Sequence, residues 1–138
     1  MIYKVTGAVF SDLGLASSFM ALDWVQQALQ QSLGYRPFAA TLNLRPSLAQ
    51  DALTWALVKQ QLKGIELRST SEGFCSAELY PVDITRPIVT GNRLVRGAVL
   101  LPAVADYPKD KIEVVAPVRL KDQFSVLDGD HLTLEFVQ

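Results

Sequence analysis

The chain has 138 residues, of which 49% are apolar, and a formal net charge of −1 at pH 7. This length is enough for one domain with a substantial core, and the charge argues against a general nucleic-acid binder, which carries a strong basic excess. No apolar run approaches the roughly 18 residues that cross a bilayer, and the first residues lack a signal-peptide pattern, so we expect a cytoplasmic protein outside the membrane.

The first elements along the chain are predicted to be a strand and a helix. Residues 2–10 favour a strand, and a turn follows at 11–14. Residues 20–33 favour a helix, with Gly34 as its C-terminal cap. Helical spacing places four apolar residues on one face of this segment, namely Leu22, Val25, Leu29 and Leu33.

A second helix is predicted to open at Pro46 and Ser47 and to end at Gly64. Ser47 and Gln50 have the three-residue spacing of a capping box. Apolar residues lie nearly all round this helix, so we expect it to be well buried. They are Leu48, Leu53, Trp55, Ala56, Leu57 and Val58.

The second half of the chain is rich in strand patterns. Its predicted strands are 65–69, 74–84, 94–101, 112–116 and 131–137, and its turns are 71–73, 90–92 and 127–130. Many short strands with Gly-, Asn- and Pro-marked turns are typical of a small barrel. We therefore predict a mainly β fold, a single-domain barrel of about six strands over residues 1–138, with two helices in its N-terminal half.

One short predicted strand has a polar face of unusual chemistry. Leu42 and Leu44 share one side of this strand, and Thr41, Asn43 and Arg45 share the other. A guanidinium binds phosphate oxygens, and hydroxyl and amide oxygens suit magnesium, so this face would fit a site for phosphate and a hard cation. Ordinary surface strands carry similar polar faces, and the strand alone favours that alternative.

Several motifs follow one another in a distinctive order. The most specific are Thr41-Leu42-Asn43, which comes after Leu33-Gly34-Tyr35-Arg36-Pro37-Phe38, and Glu113-Val114-Val115-Ala116-Pro117. Further matching segments are 7–14, 80–84, 107–110 and 127–130. Together they resemble the archaeal-type, CTP-dependent riboflavin kinase family over nearly the whole chain. The resemblance implies a cradle-loop β-barrel that transfers a phosphate from CTP to riboflavin and makes FMN and CDP.

The resemblance also implies roles for individual residues. Thr41 and Asn43 match a magnesium-binding pair, and Glu113 matches a residue that contacts the flavin. Glu113 could accept the proton of the attacking ribityl hydroxyl or orient it, and Arg45 is a candidate for phosphate charge. The implied nucleotide-binding residues are Asp12, Leu13, Gly14, Leu15, Ala16 and Ser17 in the first loop, and Val118, Arg119, Leu120 and Lys121 after the Ala-Pro pair.

Five positions depart from the family pattern. Cys75 replaces the Gly that usually follows Phe at the start of the middle strand. Asp12 replaces a Gly and adds a negative charge near the proposed phosphates, and Leu15 replaces a Glu. Ala105 replaces a Thr that touches the flavin, which removes a hydrogen bond worth on the order of 0.5–1.5 kcal/mol. Lys121 replaces an Arg, which keeps the charge but loses the two-pronged donor.

These departures leave three functions open. The first is a riboflavin kinase that uses CTP and magnesium. The second is a degenerate, non-catalytic module that binds a flavin or a nucleotide, and the third is a kinase of a different small-molecule alcohol. All three have small molecules as partners rather than nucleic acid or membrane.

The single cysteine, Cys75, allows no internal disulfide and is interpreted as a small buried thiol.

Overall fold

The structure is a computed structural model that describes residues 2–12, 15–68, 76–87 and 93–137. For Leu15 and Ala16 it describes the backbone alone. Leu13, Gly14, Cys75 and the turns predicted at 71–73 and 90–92 lie outside the described residues. The described elements, in chain order, are β1 (Tyr3–Phe10), α1 (Leu15–Met20), α2 (Asp23–Leu33), β2 (Leu42–Pro46), α3 (Ala49–Gln61), β3 (Ile65–Leu67), β4 (Ala77–Thr85), β5 (Val95–Pro102), β6 (Ile112–Val115), α4 (Leu120–Phe124) and β7 (His131–Phe136).

Six of the strands close into an antiparallel barrel. β4 pairs with β5, β5 with β6, β6 with β2, β2 with β1 and β1 with β7, and β7 returns to β4. β3 stays outside this ring and adds to the first residues of β4. The predicted fold, a mainly β barrel of six strands, is confirmed.

Two apolar clusters hold the barrel and its helices together. The barrel interior is filled by inward-facing strand residues and is closed by Trp55 of α3, whose ring centroid lies 6.1 Å from that of Tyr80 and 5.9 Å from that of Phe136. The second cluster forms on the outer side of β3 to β6, where α2 packs through Val25 and Leu29. Consecutive strand residues therefore serve different clusters, as the two-residue period of a strand requires.

The first predicted helix is two helices in the structure. α1 ends at Met20 and α2 begins at Asp23, with a turn between them. Gly34 caps α2 as predicted: it adopts a φ of 83°, and its amide donates to the carbonyl of Gln30 at 2.8 Å. The predicted turn before β7 contains a second left-handed residue, Gly129, with a φ of 94°. The five-residue α4 is too short to show a helical period and was not predicted.

The cap of α3 differs from the prediction, because Asp51 makes it. The Asp51 Oδ2 atom accepts a hydrogen bond from the amide of Leu48 at 3.0 Å, and its Oδ1 atom accepts one from the amide of Thr6 in β1 at 3.0 Å. The predicted capping pair of Ser47 and Gln50 is therefore wrong. One carboxylate satisfies a free amide at the helix start and also ties α3 to the barrel.

The predicted burial of α3 is also wrong. Trp55 and Val58 are buried, but Leu53 is 67% exposed and Leu57 is 45% exposed. One side of the helix thus lies in the core, and an apolar side faces solvent. A helix that carries apolar residues all round need not be covered by other elements on every side. In the described part of the chain, no helix has the length and apolarity needed to span a membrane.

We predict that Asp51→Ala lowers the free energy of unfolding by about 1–2 kcal/mol, because two backbone amides lose their acceptor. Urea denaturation measures this loss. The matched control is Asp23→Ala in the first turn of α2, where no side chain caps the helix; it should change stability by less than about 0.5 kcal/mol. Equal losses in the two variants would contradict the dual role of Asp51.

Candidate active site

A buried acid, Glu113, lies at the centre of the site. Its neighbours along β6, Ile112 and Val114, point into the barrel interior, so the Glu113 side chain lies on the outer side of the sheet. Asn43 on β2 and Leu100 on β5 are its register partners. Glu113 is only 7% exposed. A carboxylate this far from water is stable only if hydrogen-bond donors surround it.

Two hydroxyl groups supply those donors. The Thr41 hydroxyl donates to Oε1 of Glu113 at 3.2 Å, and the Tyr107 hydroxyl donates to Oε2 at 2.6 Å. Burial raises the pKa of Tyr107, and the hydrogen bond to Glu113, the charge of Glu113 and the charge of Asp12 raise it further. Tyr107 therefore keeps its proton through the neutral pH range and remains a donor.

Thr41 and Asn43 lie beside this acid on the predicted polar side of β2. The opposite residues, Leu42 and Leu44, are buried in the barrel. The Oδ1 atom of Asn43 is buried and has no hydrogen-bond partner among the described residues. Such an oxygen is costly unless something binds it, and a hard cation is a suitable partner. The residues present therefore fit a magnesium ion.

The part of the chain that the structure describes has no cluster of acidic or thiolate metal ligands. Across residues 2–12, 15–68, 76–87 and 93–137, no group of three or more His, Cys, Asp or Glu residues could hold a metal ion. An ion next to Thr41 and Asn43 would have two neutral protein ligands. Most of its affinity would then come from substrate phosphate oxygens, as is usual for magnesium.

A cleft opens on the Thr41 side of the acid. It has a volume of about 190 Å³, and Thr41 and the whole segment Val118–Lys121 line it. The structure therefore brings the second predicted nucleotide-binding segment next to the predicted metal pair. The Nζ atom of Lys121 lies 3.5 Å from the Ser11 hydroxyl oxygen and 3.8 Å from Oδ1 of Asp128, so this lysine also reaches the first loop.

A second, more open groove lies on the Tyr107 side of the acid. Its volume is about 450 Å³, and Tyr107 and Ala105 are among the residues that line it. Ala105 is exposed and offers only a methyl group. Thr41, which lines the cleft, and Tyr107, which lines the groove, both donate to Glu113, and Glu113 is not among the described lining residues of either cavity. The groove also has two lysines in its wall, Lys59 and Lys109.

The first loop reaches the site through an ion pair. The Nζ atom of Lys111 lies 2.6 Å from Oδ2 of Asp12 and 5.7 Å from the ring centroid of Tyr107. Lys111 thus offsets the negative charge of Asp12 next to Tyr107. Leu15, Ala16 and Ser17 form the first turn of α1 rather than part of the loop, and the nucleotide-binding role of the whole segment stays a prediction.

Arg45 is engaged elsewhere. Its Nε atom lies 3.2 Å from Oδ2 of Asp110, and its guanidinium lies 4.2 Å from the ring centroid of Phe10. Arg45 is absent from the described residues that line the cleft and the groove. Its role as a phosphate ligand stays a prediction, and the structure does not bring it together with Thr41 and Asn43 in a cavity.

Sequence reasoning missed Tyr107 and Lys111 as site residues. The available signal was the Tyr-Pro-Lys-Asp segment, which directly precedes the strand of Glu113. In the structure this segment turns twice: the Tyr107 amide donates to the carbonyl of Val104 at 3.2 Å, and the Lys111 amide donates to that of Pro108 at 3.3 Å. The two turns fold the loop back over β6.

The fold and the site define a small antiparallel β-barrel in which a buried acid is hydrogen-bonded to one lining residue of each of two cavities. The family model CTP-dep_RFKase, with the description "Domain of unknown function DUF120", matches residues 9–136. The chain therefore belongs to the CTP-dependent riboflavin kinase domain family. The resemblance seen in the sequence is confirmed.

Relatives with the name riboflavin kinase come from several archaea. The protein from Pyrobaculum arsenaticum is 33% identical over 132 residues, which are 96% of this chain and 60% of the relative. The protein from Archaeoglobus fulgidus is 27% identical over 97% of this chain and 54% of its own length. The protein from Aeropyrum pernix is 32% identical over 90% and 88%. The chain thus spans less than two thirds of the first two relatives.

We predict a measurable coupling between Asp12 and Lys111, of roughly 0.5–1 kcal/mol at low salt, because both side chains are partly shielded from water. A double-mutant cycle of Asp12→Asn and Lys111→Met, followed by urea denaturation, measures it. The coupling should shrink in about 1 M salt, where the Debye length is near 3 Å.

The matched control for this cycle is the pair of Glu66 and Arg68, whose side chains are 61% and 81% exposed. Its coupling should be close to zero. A coupling for Asp12 and Lys111 no larger than that of the control pair would show that Lys111 does not offset the charge of Asp12.

Proposed function

We propose that this chain is a CTP-dependent riboflavin kinase, which transfers the terminal phosphate of CTP to riboflavin. The observation that supports this proposal most strongly is that Glu113 accepts hydrogen bonds from Thr41, which lines the cleft, and from Tyr107, which lines the groove. We assign the nucleotide to the cleft lined by Val118–Lys121 and the flavin to the groove lined by Ala105 and Tyr107. The names of the relatives supply the expected substrates.

The proposed reaction exchanges one bond to phosphorus for another. The terminal ribityl hydroxyl oxygen bonds to the γ-phosphorus of CTP, and the bond from that phosphorus to the β,γ-bridging oxygen breaks. The hydroxyl proton passes to Glu113, and CDP and FMN are the products. Each carboxylate oxygen of Glu113 accepts one hydrogen bond and keeps a second acceptor position for this proton.

Positioning is the main demand of such a reaction, since phosphoryl transfer requires little covalent chemistry from the protein. Thr41 and Asn43 would hold the magnesium ion, which when bound supplies neutralisation of phosphate charge. Lys121 in the cleft wall supplies a fixed positive charge for the nucleotide. Glu113 fixes the acceptor hydroxyl on the other side.

A kinase of a different alcohol is the second candidate, and Ala105 favours it. This residue lines the groove with a methyl group where the family has a hydroxyl. The two lysines in the same wall would suit an acceptor with an anionic group.

In either case we propose a single barrel domain over residues 1–138, in the cytoplasm, with small-molecule substrates and products and with neither nucleic acid nor membrane as partner.

The direct test incubates the purified protein with CTP, magnesium and riboflavin and measures FMN and CDP by chromatography. We expect both products in a 1:1 ratio and loss of product when magnesium is chelated. A panel of other hydroxylated cofactor precursors is incubated in the same way, and the phosphorylated product of each is measured. Phosphorylation of one of these precursors, without phosphorylation of riboflavin, would support the second candidate. Tight riboflavin or CTP binding by calorimetry without any product would contradict both kinases and identify a binding module.

We predict that Asn43→Ala lowers kcat/KM at least about tenfold and raises the magnesium concentration needed for half-maximal rate, because one proposed ligand of the ion is lost. Its free energy of unfolding should change by less than about 1 kcal/mol, since Oδ1 of Asn43 has no hydrogen-bond partner to lose. Steady-state kinetics and urea denaturation measure the two effects.

The matched control is Gln26→Ala, because Gln26 is a buried amide on α2 whose Nε2 atom donates to the carbonyl of Met20 at 2.6 Å. This control should lose stability and keep its kcat/KM. An Asn43→Ala variant with unchanged turnover and lowered stability would assign Asn43 an architectural role instead.

A further inference from the structure

We propose that Tyr107 is a positioning residue for the phosphate transfer, because its hydroxyl bonds to Glu113 while the residue also lines the groove assigned to the flavin. This inference rests on the proposed function. It gives a role to a residue outside the predicted metal pair and outside both predicted nucleotide segments.

The geometry makes Tyr107 the stronger of the two donors to the acid. Its bond to Glu113 is 2.6 Å long, against 3.2 Å for the bond from Thr41. A short hydrogen bond from a hydroxyl to a carboxylate is charge-assisted and stronger than a neutral one. Thr41 also serves as a proposed ligand of the ion. Tyr107 is not a proposed ligand of the ion, and its hydroxyl bonds to Glu113.

The surrounding structure holds the Tyr107 ring in place. The two turns at Val104–Tyr107 and Pro108–Lys111 fix the backbone on either side of it. The Lys111 ammonium, itself bound by Asp12, lies against the ring. A donor that is held before substrate arrives costs no ordering entropy during the reaction, which is the condition for effective orientation.

The proton balance separates the roles of the two residues. Tyr107 remains protonated because burial and the nearby negative charges of Glu113 and Asp12 raise its pKa. It therefore does not accept the proton of the substrate hydroxyl. Glu113 accepts that proton, and Tyr107 keeps the receiving carboxylate in a single orientation.

Tyr107→Phe tests this role, since it removes the hydroxyl and keeps the ring in the groove wall. We expect kcat to fall about 10- to 100-fold, the loss that corresponds to one hydrogen bond to a charged group. The KM for riboflavin should change less than about twofold. Tyr107→Ala should raise that KM as well, because the groove wall is then lost.

Tyr80→Phe is the matched control. The Tyr80 hydroxyl donates to Oε2 of Glu78 at 2.7 Å, so it makes the same kind of bond away from the site. This variant should keep the wild-type kcat. A Tyr107→Phe variant with wild-type kcat, or one that changes the riboflavin KM alone, would overturn the positioning role.

A second readout needs no turnover. Tyrosine titration followed by NMR of ¹³Cζ-labelled protein should show that Glu113→Gln lowers the pKa of Tyr107, because the negative charge beside its hydroxyl is removed. Glu78→Gln should lower the pKa of Tyr80 and leave that of Tyr107 in place. A Tyr107 resonance that titrates identically with and without the Glu113 carboxylate would also overturn the proposal.

The two proposals fail in different ways. Wild-type protein without FMN production contradicts the proposed function, and the positioning role falls with it even if the tyrosine titration shifts as expected. Active wild-type protein with an unimpaired Tyr107→Phe variant contradicts the positioning role alone.

Discussion

The register of β2 against β6 is the constraint on which the site depends. Leu42 pairs with Val114 and Leu44 with Ile112, and all four are buried in the barrel interior. Because side chains alternate along a strand, this apolar pairing forces Asn43 on β2 and Glu113 on β6 onto the outer side of the sheet. A slip of one residue would turn the polar set into the core. The hydrophobic effect thus fixes which side chains meet in the site, although none of the apolar residues takes part in its proposed chemistry.

The second determinant is the cost of burying an acid. Glu113 is nearly excluded from water, and it is satisfied by the hydroxyl of Thr41, just before β2, and by the hydroxyl of Tyr107 in the loop before β6. The two donors are far apart in the chain, so the acid has its partners only when the barrel is closed. The same closure leaves Oδ1 of Asn43 without a partner in the described structure. A satisfied acid beside an unsatisfied neutral oxygen suits the magnesium ion that we propose for this site.

The sequence predicted the elements whose signals are local. The two-residue period around Leu42 and Leu44 correctly separated the apolar from the polar side of β2, and the family motifs drew attention to Glu113. Gly34 was identified as a helix cap because a left-handed residue at a helix end is a property of one position. The short strands with marked turns predicted the barrel because each strand has its own pattern.

Other features depend on contacts between distant residues, and a single sequence does not contain them. Lys111 pairs with Asp12 across 99 positions of the chain. Asp51 replaced the predicted capping pair because it also reaches a β1 amide, a contact that exists only after α3 has packed on the barrel. The apolar composition of α3 did not reveal which side faces the core. Tyr107 stood in a recognised motif, but its bond to Glu113 requires two successive turns.

The most direct test of the central claim is a crystal structure of the protein with CDP, FMN and magnesium. The account predicts the diphosphate in the cleft of Val118–Lys121, the flavin in the groove beside Tyr107, and Glu113 within hydrogen-bond distance of the FMN ester oxygen. Both ligands in the same cavity, or Glu113 out of reach of the FMN phosphate, would contradict it.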